Sequence, residues 1–130
     1  MSFREIPVNK PELQAIYRAH GETKIRAVLQ KFYAAMAEDV LIGFFFTGKD
    51  LHSIAERQGD FLMRAMGAVP SYSGKAPADA HTELAPILSG HFDRRLVVLE
   101  AVLKAEGFSE AETRAWIGFE NAFRDAIVVS

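Results

Sequence analysis

The chain has 130 residues, of which 49% are hydrophobic and 25% charged, as in an ordinary globular domain with a hydrophobic core. Its formal net charge of -2 offers no basic surface for phosphates, so we expect neither a nucleic-acid nor a membrane partner. The lack of cysteine excludes disulfides, iron–sulfur clusters and thiolate zinc sites. The N-terminal residues have no apolar core of signal-peptide type, so we expect a single cytoplasmic domain over residues 1–130.

The first third of the chain predicts two helices followed by a corner. Segment 9–12, with asparagine, proline and glutamate in order, is typical of a helix start, and we expect this helix to end near Gly21. Apolar residues at helical spacing predict a second helix from about residue 22 to 38, with Tyr33 at the edge of its apolar face. The aromatic segment 39–48 is too short for a long helix and predicts a tight corner.

Residues 51–67, LHSIAERQGDFLMRAMG, predict a third helix capped by Asp50. Gln58 lies within its apolar stripe, where burial of an unpaired amide costs roughly 2 kcal/mol or more. His52 lies about 200° around the helix from the stripe and should face water. The apolar members of the stripe are Leu51, Ile54, Phe61, Leu62 and Ala65.

The remaining helices complete an all-α prediction, because no useful stretch alternates with the period of a strand. A short helix at about 78–84 would carry His81. Ser89 is expected to cap the next helix, which Gly107 closes. The capping box SEAE at 109–112 then opens a last helix. One side of that helix is expected to carry Trp116, Phe119, Phe123 and Ile127.

Three polar residues stand out on or beside apolar stripes, namely Tyr33, Gln58 and His81. Each alone fits an ordinary structural role, as a core tyrosine, a glutamine leaning to solvent or a hydrogen-bonded histidine. Together they place two hydrogen-bond donors and one imidazole on three predicted helices, facing an interior that we expect to be rich in aromatic residues. One histidine is too few for a zinc site, but it suffices for haem, whose iron brings its own equatorial ligands. The aromatic residues in question are Phe44, Phe45, Phe46 and Phe61.

Over about residues 13–127 the chain resembles the truncated haemoglobins, the small globins with two helices stacked on two. The resemblance implies an all-α truncated globin fold, a two-on-two helical sandwich around haem b, iron protoporphyrin IX. Five landmarks in the family's order carry it: KFYAAMAEDVLIGFFFTG at 31–48, ERQGDFL at 56–62, MGAVPSYSG at 66–74, AHTEL at 80–84 and GHFDRRL at 90–96.

The resemblance also implies roles for individual residues. His81 matches the proximal histidine that binds the iron, whereas Tyr33 and Gln58 match distal residues that contact the bound gas. This tyrosine–glutamine pair resembles the first subfamily; the other two usually carry a tryptophan where Arg95 stands. We expect Arg95 to be solvated or to reach a haem propionate rather than to act in the distal pocket. The residues expected to contact haem are Phe45, Phe46, Ile54, Phe61, Leu62, Tyr72, His81 and Phe92.

What the resemblance implies for function is reversible binding of dioxygen, carbon monoxide and nitric oxide. Ile54 stands where many globins carry a distal histidine and cannot coordinate iron, so we expect the ferrous iron to be pentacoordinate. The site is compatible with nitric oxide dioxygenation supported by a separate reductase, and we expect a monomer or a weak homo-dimer. Oxygen transport, oxygen sensing and peroxidase-like chemistry remain alternatives, as does a haem-free helical interaction module whose aromatic residues are only core.

Overall fold

The computed structural model describes residues 11–68 and 86–128, and every regular element within these ranges is helical. The all-α prediction is therefore confirmed for this part of the chain. None of the helices described here is long and apolar enough to cross a membrane. In chain order the elements are α1 (Pro11–Ala37), a 3-10 helix (Gly43–Phe46), α2 (Leu51–Ala65), α3 (Ser89–Ala105), α4 (Glu110–Asn121) and α5 (Arg124–Ile127).

Helix α1 is broken at Gly21, where φ is 81° and ψ is 163°. A residue with a side chain is strained in this conformation, which is close to glycine-only. The predicted end of the first helix near Gly21 is confirmed, although the chain re-enters helix without a loop. Both halves of α1 contribute to the core through Leu13, Ile16, Ile25, Val28, Leu29, Phe32, Tyr33 and Met36.

The predicted corner after α1 is present and is held by the side chain and carbonyl of Asp39. Its Oδ1 accepts hydrogen bonds from the backbone N–H groups of Leu41 and Ile42, at 2.8 and 3.3 Å. Its carbonyl accepts from the N–H of Gly43 at 2.8 Å. A β-carbon on Gly43 would lie 2.5 Å from the carbonyl oxygen of Ala37, so the corner requires glycine at this point.

Helix α2 begins as predicted, with the Asp50 carboxylate accepting from the N–H of Ser53 at 3.2 Å. The predicted apolar stripe is buried at Phe61, Leu62 and Ala65 but only partly buried at its first two residues. Leu51 and Ile54 are half-buried, and small residues form part of the buried face that allows close approach to α1. That buried face consists of Ala55, Gly59, Phe61, Leu62, Met63 and Ala65.

A surface cluster of ion pairs joins α1 to α2 beside this close contact. The guanidinium of Arg26 donates to Glu56 at 3.0 Å and to Asp60 at 2.8 Å. It lies over Gly59, where a β-carbon would be 2.6 Å from its Nη1. His52, on the same helix, is exposed, as its position relative to the stripe predicted.

Two details of α3 and the segment after it differ from the prediction. Ser89 is the first residue of α3 rather than its cap; Leu88 occupies the cap position, and its N–H donates to His91 Nδ1 at 3.0 Å. Gly107 does end the helix region, with φ of 89° and with the N–H of Phe108 bonded to the carbonyl of Leu103 at 3.0 Å. The capping position was misassigned because the histidine side chain competes for the same turn.

The C-terminal region forms two helices instead of the single helix expected through Ile127. The predicted capping box is confirmed, since Ser109 and Glu112 exchange hydrogen bonds at 2.8 and 3.1 Å. The helix is interrupted at Phe123, whose ring packs edge-on against Phe61 and Phe119 with centroids 5.4 and 5.3 Å away. Packing of this ring takes precedence over the local helical pattern.

The helices are arranged as two packed pairs. Helix α1 packs on α2, α3 packs on α4, and α1 contacts both members of the second pair as well as the 3-10 helix. Hydrophobic side chains from all four long helices meet between the pairs, with Trp116, Phe32 and Leu62 among the fully buried ones. This arrangement places the apolar face of α1, which carries Tyr33, against elements from both halves of the chain.

Candidate functional site

Tyr33 is the best-defined residue of the predicted distal site. It lies in the second half of α1 and is only 5% exposed, so its phenol belongs to the core and not to the helix edge. Its ring centroid is 5.9 Å from that of Phe46 in an edge-to-face arrangement, and 5.3 Å from that of Phe32. The structure thereby brings together two residues that were predicted to share a site, Tyr33 and Phe46.

Gln58 and Ile54 lie one turn apart on α2, and both are half-buried. Within the described ranges the Gln58 amide has no hydrogen-bond partner. Ile54 packs against the core. A half-buried amide next to an apolar side chain is a suitable donor for a polar ligand, and this role of Gln58 stays a prediction.

The aromatic corner is less buried than expected. Phe45 is 8% exposed and Phe46 is half-buried, but Phe44 is 54% exposed, so placing Phe44 in the interior was wrong. The 3-10 helix explains the difference, because consecutive side chains project in different directions around its axis. His91 of α3 packs edge-on against Phe45 with centroids 5.1 Å apart.

Three further predicted haem contacts are buried in separate surroundings. Phe61 and Leu62 of α2 are 2% and 0% exposed, and the Phe61 ring lies 5.9 Å from that of Phe119. Phe92 of α3 is 2% exposed, with the guanidinium of Arg124 4.7 Å from its ring centroid. These side chains form apolar walls in the described part of the fold, and their contact with haem stays a prediction.

The predicted proximal side lies outside the described residues. His81 and Tyr72 both fall in segment 69–85, so the assignment of His81 as iron ligand and of Tyr72 as a haem contact stays a prediction. Among residues 11–68 and 86–128, no group of three or more histidine, aspartate or glutamate side chains is placed to hold a metal ion.

A buried ion pair, which the sequence analysis missed, lies directly beside Tyr33. Arg95 of α3 donates to Oε2 of Glu120 of α4 at 3.0 Å, and the two side chains are only 17% and 6% exposed. The guanidinium carbon lies 4.9 Å from the ring centroid of Phe32 and 5.8 Å from that of Tyr33. The expectation of a solvated Arg95 was therefore wrong, because Glu120 compensates its charge inside the fold.

The electrostatics of this pair keep Arg95 charged. Burial is the largest single effect and lowers the pKa of Arg95, but the charge and hydrogen bond of Glu120, together with Tyr33, raise that pKa overall. Oε1 of Glu120 is buried and has no hydrogen-bond partner among the described residues. Glu120 therefore relies on Arg95 for compensation of its charge.

Two sequence signals could have pointed to this pair. Arg95 is three residues from Phe92, at the border of the apolar stripe of its helix. Glu120 follows Trp116 by one turn, on the apolar face of the last predicted helix. A charged residue on each of two apolar faces indicates a buried pair, but their meeting depends on how α3 packs on α4.

Four of the described side chains have the chemistry that one face of a haem pocket requires. Tyr33 supplies a buried hydroxyl and Gln58 an unpaired amide, while Phe46 and Ile54 supply half-buried apolar surface. An aromatic macrocycle is held by apolar contacts, and a small polar ligand is recognised by a few placed donors. These four side chains supply both the apolar contacts and the hydrogen-bond donors.

Comparisons with known proteins agree with this interpretation. A family model described as bacterial-like globin matches residues 15–128. The group 1 truncated hemoglobin of Tetrahymena pyriformis is 32% identical over 80% of this chain and 84% of its own length. The group 1 truncated hemoglobin GlbN of a Synechocystis species is 34% identical over 82% of this chain and 91% of its own length.

The fold agrees as well. A crystal structure of the Tetrahymena pyriformis truncated hemoglobin, in its Fe(III) form, matches with a TM-score of 0.79 and 27% identity, covering 88% of this chain and 98% of that one. Globins as a family bind haem and, through it, gases such as dioxygen. Family model, relatives and fold agree, and this chain belongs to the bacterial-like globins as a member of their group 1 truncated haemoglobins.

Proposed function

We propose that this chain binds haem b through His81 and holds dioxygen, carbon monoxide or nitric oxide on the opposite face, under hydrogen bonds from Tyr33 and Gln58. The observation that supports the proposal most directly is the buried Tyr33 phenol, packed edge-on against Phe46 at 5.9 Å within a globin fold. A hydroxyl has a proton to donate as well as an oxygen that accepts, and a bound gas molecule is an acceptor for that proton.

Each residue has a distinct role in this proposal. The Tyr33 hydroxyl and the Gln58 amide donate to the gas, and such bonds are stronger when the acceptor carries charge. Each bond slows release by about tenfold or more, equivalent to roughly 1.5–3 kcal/mol. Phe46 and Ile54 exclude water, and Ile54 leaves the distal side without a competing ligand. A neutral His81 imidazole would hold the iron, and its second ring nitrogen would be free to donate a hydrogen bond.

The reaction that we propose for this site is nitric oxide dioxygenation. When bound, haem supplies the iron that takes up the gas and the one electron by which nitric oxide and dioxygen form nitrate. Two hydrogen-bond donors favour this reaction because they retain dioxygen more strongly than the less polar carbon monoxide or nitric oxide. A separate reductase would return the electron. Oxygen transport, oxygen sensing and peroxidase-like chemistry use the same pocket, and turnover distinguishes them from dioxygenation.

The first experiment tests haem ligation. The purified protein reconstituted with haem should have a Soret band and a five-coordinate ferrous spectrum, and His81→Ala should lose both. His52→Ala is the matched control, because His52 is exposed on α2 and should leave the spectra unchanged. A six-coordinate low-spin ferrous spectrum, or a Soret band insensitive to His81→Ala, would contradict the proposed ligand.

The second experiment tests the distal donors. Oxygen release measured by stopped flow should become about tenfold or more faster in Tyr33→Phe and in Gln58→Leu. Tyr17→Phe is the matched control, since Tyr17 lies on the other half of α1. Unchanged release in both distal variants would contradict their assignment as donors.

The third experiment tests the reaction. Oxygenated protein is mixed with nitric oxide in the presence of a chemical reductant, and nitrate is counted over many equivalents. We expect nitrate to exceed the protein several-fold, and turnover to fall in Tyr33→Phe. Nitrate limited to one equivalent, with reductant in excess, would favour gas binding without dioxygenation.

A further inference from the structure

Among the described residues of the proposed distal site, Tyr33 is the one that lies beside the Arg95–Glu120 pair. Arg95 comes from α3 and Glu120 from α4; their charged groups meet at 3.0 Å, and the guanidinium carbon lies 5.8 Å from the ring centroid of Tyr33. The same guanidinium lies against the Phe32 ring and 3.9 Å from the sulfur of Met36, so it is held on several sides. A buried charge fixed in this way has few orientations.

Hydrogen-bond chemistry then restricts the Tyr33 hydroxyl. A guanidinium has five N–H donors and no acceptor, so in any hydrogen bond between the two groups Tyr33 must accept. The guanidinium carbon lies 5.8 Å from the Tyr33 ring centroid, and Tyr33 is among the groups that raise the pKa of Arg95. A Tyr33 oxygen that accepts from this guanidinium keeps its own proton for a partner elsewhere.

We propose that Arg95 is a positioning residue for gas binding: anchored by Glu120, it orients the Tyr33 hydroxyl so that its proton points away from α3 and toward the bound gas. The inference rests on the proposed function of Tyr33 as a distal donor. It adds that the strength of this donor is set by a charged pair that does not itself touch the gas. Polarisation of the hydroxyl by the neighbouring cation acts in the same direction, because hydrogen bonds in a chain strengthen one another.

The alternative is that the pair serves only stability. Arg94, the preceding residue of α3, offers a control for this, since it pairs with Asp39 at 2.8 Å at the corner. The paired variants Arg95→Met/Glu120→Leu and Arg94→Met/Asp39→Asn each remove one arginine–carboxylate pair from the same helix. Replacing both members avoids an uncompensated buried charge, which would be strongly destabilising.

The test is a double-mutant cycle on the haem-loaded protein, with oxygen release measured by stopped flow. We expect Arg95→Met/Glu120→Leu to release oxygen about threefold to tenfold faster, and Arg94→Met/Asp39→Asn to release it at the rate of the unmodified chain. In a Tyr33→Phe background the Arg95→Met/Glu120→Leu change should add almost nothing, because its effect passes through the missing hydroxyl. Equal effects with and without Tyr33 would overturn the inference.

A second readout does not depend on release rates. In the ferrous carbon monoxide complex, the C–O stretching band should shift to higher frequency when the oriented donor is lost, in Arg95→Met/Glu120→Leu as in Tyr33→Phe. The ring NMR signals of Tyr33 should shift too, with those of Tyr17 as internal reference. Unchanged spectra would overturn the inference.

A further variant covers the case of misfolding, and the results together distinguish the donor role of Tyr33 from the positioning role of Arg95. If Arg95→Met/Glu120→Leu fails to take up haem, Arg95→Lys is used, because an ammonium keeps the charge beside Glu120 but not the planar fork. We expect release about twofold to threefold faster, and an unchanged rate would overturn the inference. Unchanged release in Tyr33→Phe would refute the proposed role of Tyr33, whereas an effect there without one at Arg95 would refute only the positioning role.

Discussion

Two neighbouring arginines of α3 hold opposite kinds of ion pair. Arg94 pairs at the corner with Asp39, through two nitrogens each 2.8 Å from Oδ2; the Arg94 side chain is 38% exposed and that of Asp39 is 7% exposed. Arg95 pairs with Glu120 between the helices, where the two side chains are 17% and 6% exposed. One step along the helix thus moves a guanidinium from the surface to the interior.

The difference lies in what else satisfies each carboxylate. Asp39 also accepts backbone hydrogen bonds from Leu41 and Ile42, so it keeps partners if Arg94 is lost. Glu120 has a buried Oε1 without a partner among the described residues, so its charge depends on Arg95. The corner pair supplements a turn that is already hydrogen-bonded, whereas the interior pair is a condition for burying either charge.

The largest expected effect comes from breaking the interior pair on one side only. Arg95→Met should lower the free energy of unfolding by about 3–5 kcal/mol, because an uncompensated carboxylate stays buried. Adding Glu120→Leu should restore most of this loss. Urea unfolding of the three chains measures both effects, and a loss below about 1 kcal/mol for Arg95→Met would argue against the dependence of Glu120 on Arg95.

The corner itself should be the next most sensitive place. Gly43→Ala puts a β-carbon 2.5 Å from the carbonyl of Ala37, so the backbone must move, at a cost of about 1–3 kcal/mol. Gly118→Ala is the matched control, since nothing lies within 4 Å of a β-carbon there and α4 should gain up to about 1 kcal/mol. Equal urea midpoints for the two variants would contradict the close approach at Gly43.

Removal of the surface arginine should have a much smaller effect. Arg94→Met should cost less than about a third of the loss caused by Arg95→Met, because the Arg94 side chain is partly solvated and Asp39 keeps its backbone donors. Its effect should also shrink in about 1 M salt, which screens exposed charges, while the Arg95→Met effect should persist. Urea midpoints at low and high salt measure both effects. A loss of stability in Arg94→Met that does not depend on salt would show that Arg94 behaves like the buried Arg95.

The smallest effect is expected from acid. The hydrogen bond from Arg94, assisted by the N–H groups of Leu41 and Ile42, lowers the pKa of Asp39 from 3.8. Because the folded pKa is the lower one, this contribution to stability is present above about pH 4 and is lost as the pH falls through the folded pKa. The stability difference between the unmodified chain and Asp39→Asn should therefore shrink only below about pH 4. If this stability difference vanished near neutral pH, the pH dependence would belong to a group other than Asp39.

Local signals predicted the elements that local chemistry determines. The break at Gly21, the cap at Asp50, the capping box at 109–112 and the helix end at Gly107 all follow from side chains within a few residues. The prediction that Ser89 caps α3 was wrong, because the side chain of His91 accepts a hydrogen bond from the N–H of Leu88 at this turn. Each correct prediction concerns a helix end whose interacting groups are close to it in the sequence.

The candidate site was less predictable because its partners are distant in the chain. The composition of the distal wall followed from the resemblance, and the structure confirms the burial of Tyr33 and Phe45. Arg95 and Glu120 are 25 residues apart, and only the packing of α3 on α4 brings them together. Neither this meeting nor the half-burial of Leu51 and Ile54 on α2 is encoded in helical periodicity. His81 and Tyr72 stay predictions.

The break at Gly21 divides the work of α1 between its two halves. Just before it, His20 stacks on Phe108 at 4.0 Å and bonds to Glu112 at 3.0 Å, at the start of α4. On the other side of the break, α1 carries Phe32 and Tyr33 in the core. A sequence change near His20 therefore acts first on the attachment of α4, and this end of α1 can change with little effect on the packing around Tyr33.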